Sequence, residues 1–176
     1  SIESVTVTGS QTVVGKSANV PSAAKIVNAN GEDVTKSYNI TYVNGELEVT
    51  KSTKELSVTS ASKDWDYDGQ THTYKVYTVK YGTETIEGTE GQVEFELSTG
   101  DKLTVTPTEK GANGVKNFSD AGANSFTWTV ENEEYYTKGT DTVGTLTINK
   151  VTVTLATGDA TKEYDGTALT NDDVEE

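Results

Sequence analysis

Cysteine, methionine and arginine are absent from this 176-residue sequence. Without cysteine the chain can form no disulfide bond and offers no thiolate to a metal. Without arginine, and with a formal net charge of −14, it has no guanidinium fork for phosphate and repels a nucleic-acid backbone. The charge also disfavours anionic membrane surfaces, and no apolar run is long enough to cross a bilayer. We therefore expect no nucleic-acid partner and no membrane insertion, and the lack of both sulfur residues is consistent with an extracellular protein.

Helical patterning is also missing, because apolar residues do not recur at the 3.6-residue spacing of an amphipathic helix. They alternate instead with Thr, Glu and Lys, as in antiparallel strands that bury one face. This alternation predicts strands at Val5 and Val7, Leu56 and Val58, Val93 to Leu97, Leu103 and Val105, Phe126 to Val130, Leu146 and Ile148, and Val151 to Leu155. Residues 73–81 are apolar on both faces and predict a central or bulged strand.

The fold class that follows is all-β. Only 32% of the residues are hydrophobic, which favours several small cores over one large core. Short strands separated by turns predict Ig-like β-sandwich modules. A β-grasp-like module is the alternative, although it needs a helix across its sheet.

Two segments carry strong turn chemistry. Asn44-Gly45 lies between apolar residues at 38–42 and Leu47, and predicts a tight β-hairpin. Residues 110–117 are rich in Gly and Asn and predict a long mobile loop.

The sequence also repeats itself. Tyr67-Asp68-Gly69 recurs 97 residues later as Tyr164-Asp165-Gly166, and a Gly-x-Leu-x-Val/Ile-x-Lys motif begins at Gly45 and again at Gly144. These copies divide the chain into the C-terminal part of one repeat (1–51), a complete repeat (52–150) and the start of a third (151–176), so we expect a fragment of a longer array. Neither junction has a Pro- or Gly/Ser-rich linker, which predicts that neighbouring repeats stack end to end in an elongated arrangement. We expect the chain to be a monomer.

These motifs resemble the MBG/YDG-type tandem repeats of Gram-positive surface adhesins. The resemblance covers essentially the whole chain, but its motifs are short, and the copy at residues 63–69 departs from the pattern at Trp65 and Asp66. The resemblance implies a secreted protein that is attached to the cell wall and contains many repeats. Because modules in tandem arrays are typically spacers or binders, we expect these repeats to act as non-catalytic spacers that project a distal binding region. The resemblance implies no defined ligand and no binding residues.

A calcium site is the first alternative to a purely structural Tyr-Asp-Gly motif. Asp64, Asp66, Asp68 and Gly69 match the first half of an EF-hand loop, but Lys75 stands where that loop needs a bidentate Glu. The motif is therefore interpreted as a tight turn in which Asp accepts local N–H groups and Gly takes a positive φ. We expect no metal and no cofactor.

Trp65 and Tyr67 are the candidate ligand contacts. Lys162 replaces Trp65 in the next copy, so an exposed Trp65 ring that stacks on a sugar is possible, and host glycan or protein is the candidate partner. Tyr67 and Tyr164 have a structural alternative, in which each buries its ring and bonds its hydroxyl to the backbone. Trp128, in clean alternation with Phe126 and Val130, is predicted to lie in the core.

Catalytic groups do not form a recognisable set. His72 is the single histidine, and pairs such as Glu94/Glu96 and Glu133/Glu134 are typical of solvated strand faces. The sequence therefore predicts that the chain is not an enzyme. A Lys–Asn cross-link remains an open alternative, with Lys54, Lys63, Asn132 and Asn149 as candidates.

Overall fold

Strands make up nearly all the regular structure of the chain. A computed structural model describes residues 1–175, and it confirms the all-β class. The strands are β1 (Ile2–Thr8), β2 (Gly15–Ile26), β3 (Gly45–Val49), β4 (Glu55–Ser60), β5 (Lys63–Asp66), β6 (Tyr77–Tyr81), β7 (Glu84–Glu87), β8 (Glu94–Glu96), β9 (Lys102–Pro107), β10 (Gly122–Ala123), β11 (Phe126–Val130), β12 (Thr137–Lys138), β13 (Thr145–Asn149), β14 (Ala156–Thr157) and β15 (Val174–Glu175). One short helix, α1 (Glu109–Asn113), and 3-10 turns at Thr35–Ser37, Phe118–Asp120 and Glu133–Tyr135 complete the list.

The core lies in the middle of the chain. Within the part that the structure describes, every buried side chain falls between Leu56 and Ile148. We call residues 52–150 the central unit. Its strands form sheets in the orders β12-β4-β6-β7, β11-β9-β8 and β10-β13-β5.

Two groups of apolar side chains build this core. The larger group joins alternating residues of β4, β6, β9 and β11, and includes Trp128 as predicted. The indole N–H of Trp128 donates to Asp141, whose second carboxylate oxygen accepts the backbone N–H of Val58. The smaller group contains Val115, Leu146 and Ile148.

Two strand pairings are parallel, although the alternation predicted antiparallel pairing. β4 pairs with β12 and β5 pairs with β13, so the first and last stretches of the central unit run side by side in the same direction. Alternation reports which face of a strand is buried, but it carries no information about the direction of the neighbouring strand.

A buried polar group, which we call the Asn124 cluster, joins these stretches. The Asn124 side-chain amide donates to the carbonyl oxygens of Ala61 and Tyr74, at 2.8 Å each. Its backbone N–H donates to Gly144, and its carbonyl oxygen accepts the Ser60 hydroxyl. Gly144 lies so close to Ala61 that an added Cβ would come within 2.5 Å of the Ala61 carbonyl carbon. The cluster therefore needs a side-chain amide at one position and a residue without a Cβ at the other.

The segment before the central unit has the same strand register as the second half of the central unit. β1, β2 and β3 form one antiparallel sheet, which we call the N-terminal sheet, and in it Ala18 lies opposite Glu46. In the central unit Ala123 lies opposite Thr145 in the same way. The adjacent pair is Asn19 and Gly45 in the N-terminal sheet and Asn124 and Gly144 in the central unit, so these residues are counterparts.

The segment after the central unit has the same strand register as the first half of the central unit. β14 and β15 pair Ala156 with Glu175, as β4 and β6 pair Thr59 with Thr78. The separation of these counterparts is the same 97 residues that separates the two Tyr-Asp-Gly motifs.

Three sequence predictions about local structure were wrong. Asn44-Gly45 forms no hairpin, because β3 begins at Gly45 and pairs with the distant β2, while residues 38–42 form no strand. Residues 110–117 are not a free loop, since they contain most of α1 and the buried Val115. Val151 to Leu155 is exposed and forms no strand.

The prediction for residues 73–81 holds only in part. β6 covers Tyr77–Tyr81 alone and lies between β4 and β7, whereas residues 73–76 precede it outside any strand. The first half of the doubly apolar segment instead packs toward the smaller core group through Tyr74.

Candidate functional site

The Tyr-Asp-Gly turn directly follows β5. Asp68 Oδ1 accepts the backbone N–H of Gln70 at 2.8 Å, and Gly69 has a φ of 76°. The second copy has the same geometry, with Thr167 donating to Asp165 and a φ of 77° at Gly166. An aspartate that accepts the N–H two residues later, followed by a residue with positive φ, is a self-contained turn.

The two aspartates are held in their charged form by these contacts. The backbone N–H of Gln70, followed by the His72 side chain, holds the pKa of Asp68 below its ordinary value. The Lys162 ammonium, followed by Thr167, lowers the pKa of Asp165 to about 2. Both carboxylates are thus occupied by local hydrogen bonds.

Trp65 is half-buried rather than exposed. The His72 ring stacks on it with a centroid separation of 4.9 Å and an interplanar angle of 18°, and Tyr74 meets it edge-on. Trp65 also packs against the smaller core group. His72 therefore covers one face of the indole, so a sugar could stack on Trp65 only from the opposite face.

Tyr67 is the exposed aromatic of the pair. Its side chain is 46% exposed, as is expected of a surface group, and Tyr164 is almost fully exposed, so neither ring is buried as the structural alternative supposed. The missed residue is Phe118, which is 57% exposed and lies with Tyr67 around a shallow hollow. Lys150 places its ammonium 4.4 Å from the Phe118 ring centroid. We call Tyr67, Phe118 and the flanking Asn117, Asn149 and Lys150 the aromatic surface.

The carboxylates of Asp64, Asp66 and Asp68 do not converge on one point where a metal ion could bind. Asp64 and Asp66 lie on β5 and accept from the Asn149 amide at 3.1 and 3.4 Å, whereas Asp68 faces Gln70 and His72. Across residues 1–175, no group of three or more His, Cys, Asp or Glu side chains could hold a metal ion.

The four cross-link candidates contact other groups. Lys54 lies over the Tyr81 ring and Lys63 over the Tyr74 ring. The Asn132 amide donates to Asp101, and the Asn149 amide donates to Asp64 and Asp66.

A second hollow lies where the N-terminal sheet meets the central unit. Val13, Val14 and Val49 line it from one side, and Tyr81 and Tyr136 line it from the other. The Tyr136 hydroxyl bonds to Thr99 and Asp101, and burial, together with the Asp101 carboxylate, raises the pKa of Tyr136 to about 12.

Comparisons with protein families, with curated proteins and with solved structures found no match to this chain. None of the helices in residues 1–175 is long and apolar enough to span a membrane.

Proposed function

We propose that this chain is part of a non-catalytic spacer in a Gram-positive cell-surface adhesin, where wall-attached repeats project a distal binding region. The observation that carries the proposal is that two strand registers recur along the chain. The pairing of β2 with β3 matches that of β10 with β13, and the pairing of β14 with β15 matches that of β4 with β6. A chain whose parts repeat in backbone geometry, and not only in sequence motif, is typical of repeat architectures.

The junction between the N-terminal sheet and the central unit supports direct stacking of repeats. The Ser52 N–H donates to the Tyr135 carbonyl, and the Thr137 hydroxyl donates back to the Ser52 carbonyl. The chain thus enters the central unit one residue after Lys51, without a free linker. Neighbouring repeats in the same chain are the partners that this arrangement requires.

For the fold we propose the Ig-like sandwich, with the β-grasp-like module as the alternative. The one α-helix among residues 1–175, α1, has five residues, which is too short to cover a sheet as the helix of a β-grasp must. The parallel pairing of β4 with β12 is the feature that supports the β-grasp-like alternative.

Small-angle scattering tests the stacked arrangement. A compact globule of this length has a radius of gyration of about 16 Å. We expect a clearly larger value and an elongated distance distribution for the whole chain. A radius near that of the compact globule would contradict the spacer.

A second candidate function is the binding of host carbohydrate or protein at the aromatic surface. Two exposed rings flanked by side-chain amides and an ammonium offer both the stacking and the hydrogen-bonding groups that sugars use. The double variant Tyr67→Ala/Phe118→Ala should abolish binding on a glycan array if this function is present. Tyr164→Ala is the matched control, because Tyr164 occupies the same motif and is almost fully exposed. If the unmodified chain binds neither glycans nor host cells, the binding function is excluded and the spacer remains the proposed function.

A further inference from the structure

β11 forms an edge of its sheet, with β9 on one side and no strand of residues 1–175 on the other. The Ser125 carbonyl oxygen accepts the N–H of Thr108, and the Glu131 N–H donates to Lys102. The backbone groups at 125, 127, 129 and 131 therefore face β9, because these groups alternate in direction along an antiparallel strand. The N–H and C=O groups of the residues between them point away from β9.

The residues whose backbone points away from β9 are Phe126, Trp128 and Val130. Their side chains pack into the larger core group or against it, whereas Thr127 and Thr129 are exposed. Another strand can thus pair with this edge through the backbone without displacing a side chain of the core. An unpaired edge of this kind is a template for a second chain.

β11 also lacks the charges that the other edge strands carry. Among the edge strands of the central unit with three or more residues, β5, β7 and β8 each contain at least two charged side chains. Residues 121–130, which include β11, contain none. Charged side chains on an edge oppose pairing with a second chain, so β11 is the edge that the central unit leaves unprotected.

The N-terminal sheet protects the corresponding edge with a proline. Pro21 follows Asn19 by two residues, as Phe126 follows Asn124, and each pairs with its neighbouring strand, β1 or β9. Pro21 is therefore the counterpart of Phe126. Because proline has no N–H, this edge of β2 lacks one of the donors that β11 presents.

Two further features close this edge of β2. The register between β1 and β2 shifts around Ala23, which has a φ of 51°, and the Ala24 N–H donates to the Tyr42 hydroxyl. A bulge and an occupied N–H both hinder the addition of a strand. These groups all belong to residues 1–51, although a whole repeat follows them. Stacking of repeats along the chain therefore leaves this edge uncovered, and only the central unit has it open.

The surface beside the edge of β11 has balanced charge. A hollow next to Trp128 is lined by Lys51, Lys138, Glu133 and Glu134. The Lys138 ammonium lies 4.4 Å from the centroid of the Trp128 ring, and it also pairs with Glu133 at 3.8 Å. In a chain with a net charge of −14, this local balance lets two copies approach each other here without an excess of like charge.

The outer side of β11 is complementary to itself. With Trp128 on a two-fold axis, antiparallel pairing places Phe126 opposite Val130 of a second copy, and such facing residues exchange both of their N–H···O bonds. On the solvent face, Thr127 comes to lie opposite Thr129 of the second copy. Thr–Thr pairs across strands favour sheet formation.

We propose that two copies of this chain associate side by side through β11, which pairs antiparallel with β11 of the other copy about a two-fold axis at Trp128. The sheets β11-β9-β8 of the two copies then form one continuous sheet. The contact is isologous, so it closes as a dimer. This association goes beyond the proposed spacer role, which a monomer can also fill, and it departs from the monomer expected from the sequence.

Sedimentation velocity of the whole chain, from micromolar to millimolar concentration, tests the proposal. A pairing of two five-residue strands is at the small end of specific interfaces, so we expect dimers in the upper part of this range. An unmodified chain that stays monomeric throughout overturns the proposal.

Two double variants place charges at the facing threonines. In Thr127→Lys/Thr129→Lys and in Thr127→Glu/Thr129→Glu, like charges face each other across the axis, so each variant alone should stay monomeric. An equimolar mixture places Lys opposite Glu at every facing pair and should form dimers with one copy of each variant. Association of either variant alone to the same extent as the unmodified chain overturns the proposal.

The matched control is Thr83→Lys/Thr85→Lys, which makes the same change of charge at exposed threonines of β7 and the turn before it. It should associate as the unmodified chain does, and loss of association in this control overturns the proposal. Thermal melting shows whether each variant keeps the fold, which we expect because all four positions are exposed.

Cysteine variants test the register without adding charge. The natural sequence has no cysteine, and facing residues of the Thr127–Thr129 kind lie close enough for a disulfide bond. With oxidised glutathione as the oxidant, a mixture of Thr127→Cys and Thr129→Cys should form cross-linked dimers faster than either variant alone. Equal rates in the mixture and in the separate variants overturn this pairing.

Discussion

The side-chain amide of Asn124 donates a hydrogen bond of 2.8 Å to the carbonyl oxygen of Ala61, although 63 residues separate the two in the chain. A second bond from the same nitrogen reaches the Tyr74 carbonyl. One buried side chain thus satisfies two backbone groups near the start of the central unit from a strand near its end. Such a contact forms only when both halves of the unit are folded.

Asn124→Ala should therefore destabilise the central unit strongly. It leaves two partly buried carbonyl groups without this donor, and each such loss costs about 1–3 kcal/mol. We expect the free energy of unfolding, measured by urea titration with tryptophan fluorescence, to fall by about 2–5 kcal/mol. Asn19→Ala is the control at the corresponding position, and it should change the value by less than about 0.5 kcal/mol in dilute solution. Equal effects from the two variants would show that Asn124 does not join the halves.

Tyr77→Phe should stabilise the protein. The Tyr77 side chain is fully buried, and its hydroxyl has no hydrogen-bond partner among the residues described. Removing an unpaired buried hydroxyl saves its desolvation cost, so we expect an increase of about 1 kcal/mol in the free energy of unfolding. Tyr136→Phe is the matched comparison and should lower the stability, because the Tyr136 hydroxyl bonds to Thr99 and Asp101. A loss of stability in Tyr77→Phe would mean that this hydroxyl has a partner in solution.

Alkaline pH should remove the contribution of Tyr136. Its pKa is raised from 10.0 to about 12 in the folded state, so the folded protein holds this proton more tightly than the unfolded chain. The resulting stability is fully present below pH 10 and is lost as the pH rises toward 12. We expect the difference in unfolding free energy between the unmodified chain and Tyr136→Phe to shrink across this window. A difference that stays constant from pH 9 to pH 12 would contradict the raised pKa.

Calcium should have no effect on the melting temperature. Asp64 and Asp66 face Asn149, and Asp68 is engaged by Gln70 and His72, so the three carboxylates do not converge. Differential scanning calorimetry with millimolar calcium, against a chelator control, is the measurement. A reproducible increase in melting temperature that Asp66→Asn removes would restore the calcium interpretation.

Strand positions could be predicted from the sequence where burial decides them. β4, β9, β11 and β13 were found by alternation, because each packs one row of side chains into the core. The pairing partners could not be predicted in this way. Asn44-Gly45 has strong local turn chemistry, but a long-range pairing of β3 with β2 determines its conformation instead. The alternation of Val151 to Leu155 produces no strand, because the apolar row has nothing to pack against within residues 1–175.

The candidate site shows the same division between local and long-range information. The tight turn at Gly69 follows from the local preferences of Asp and Gly, and the structure has that geometry. The burial of Trp65 depends on His72 and Tyr74, which approach it only in three dimensions. Phe118 could have been noticed as an aromatic residue in a polar segment without alternation, but its position beside Tyr67 could not.

The parallel pairing of the first and last stretches has a mechanical consequence. The chain enters the central unit at the start of β4 and leaves it at the end of β13, which lie at opposite ends of the paired stretches. Tension between residues 52 and 150 therefore pulls the two stretches past one another lengthwise. All the hydrogen bonds between them then resist together, whereas strands that enter and leave at the same end would open one bond at a time.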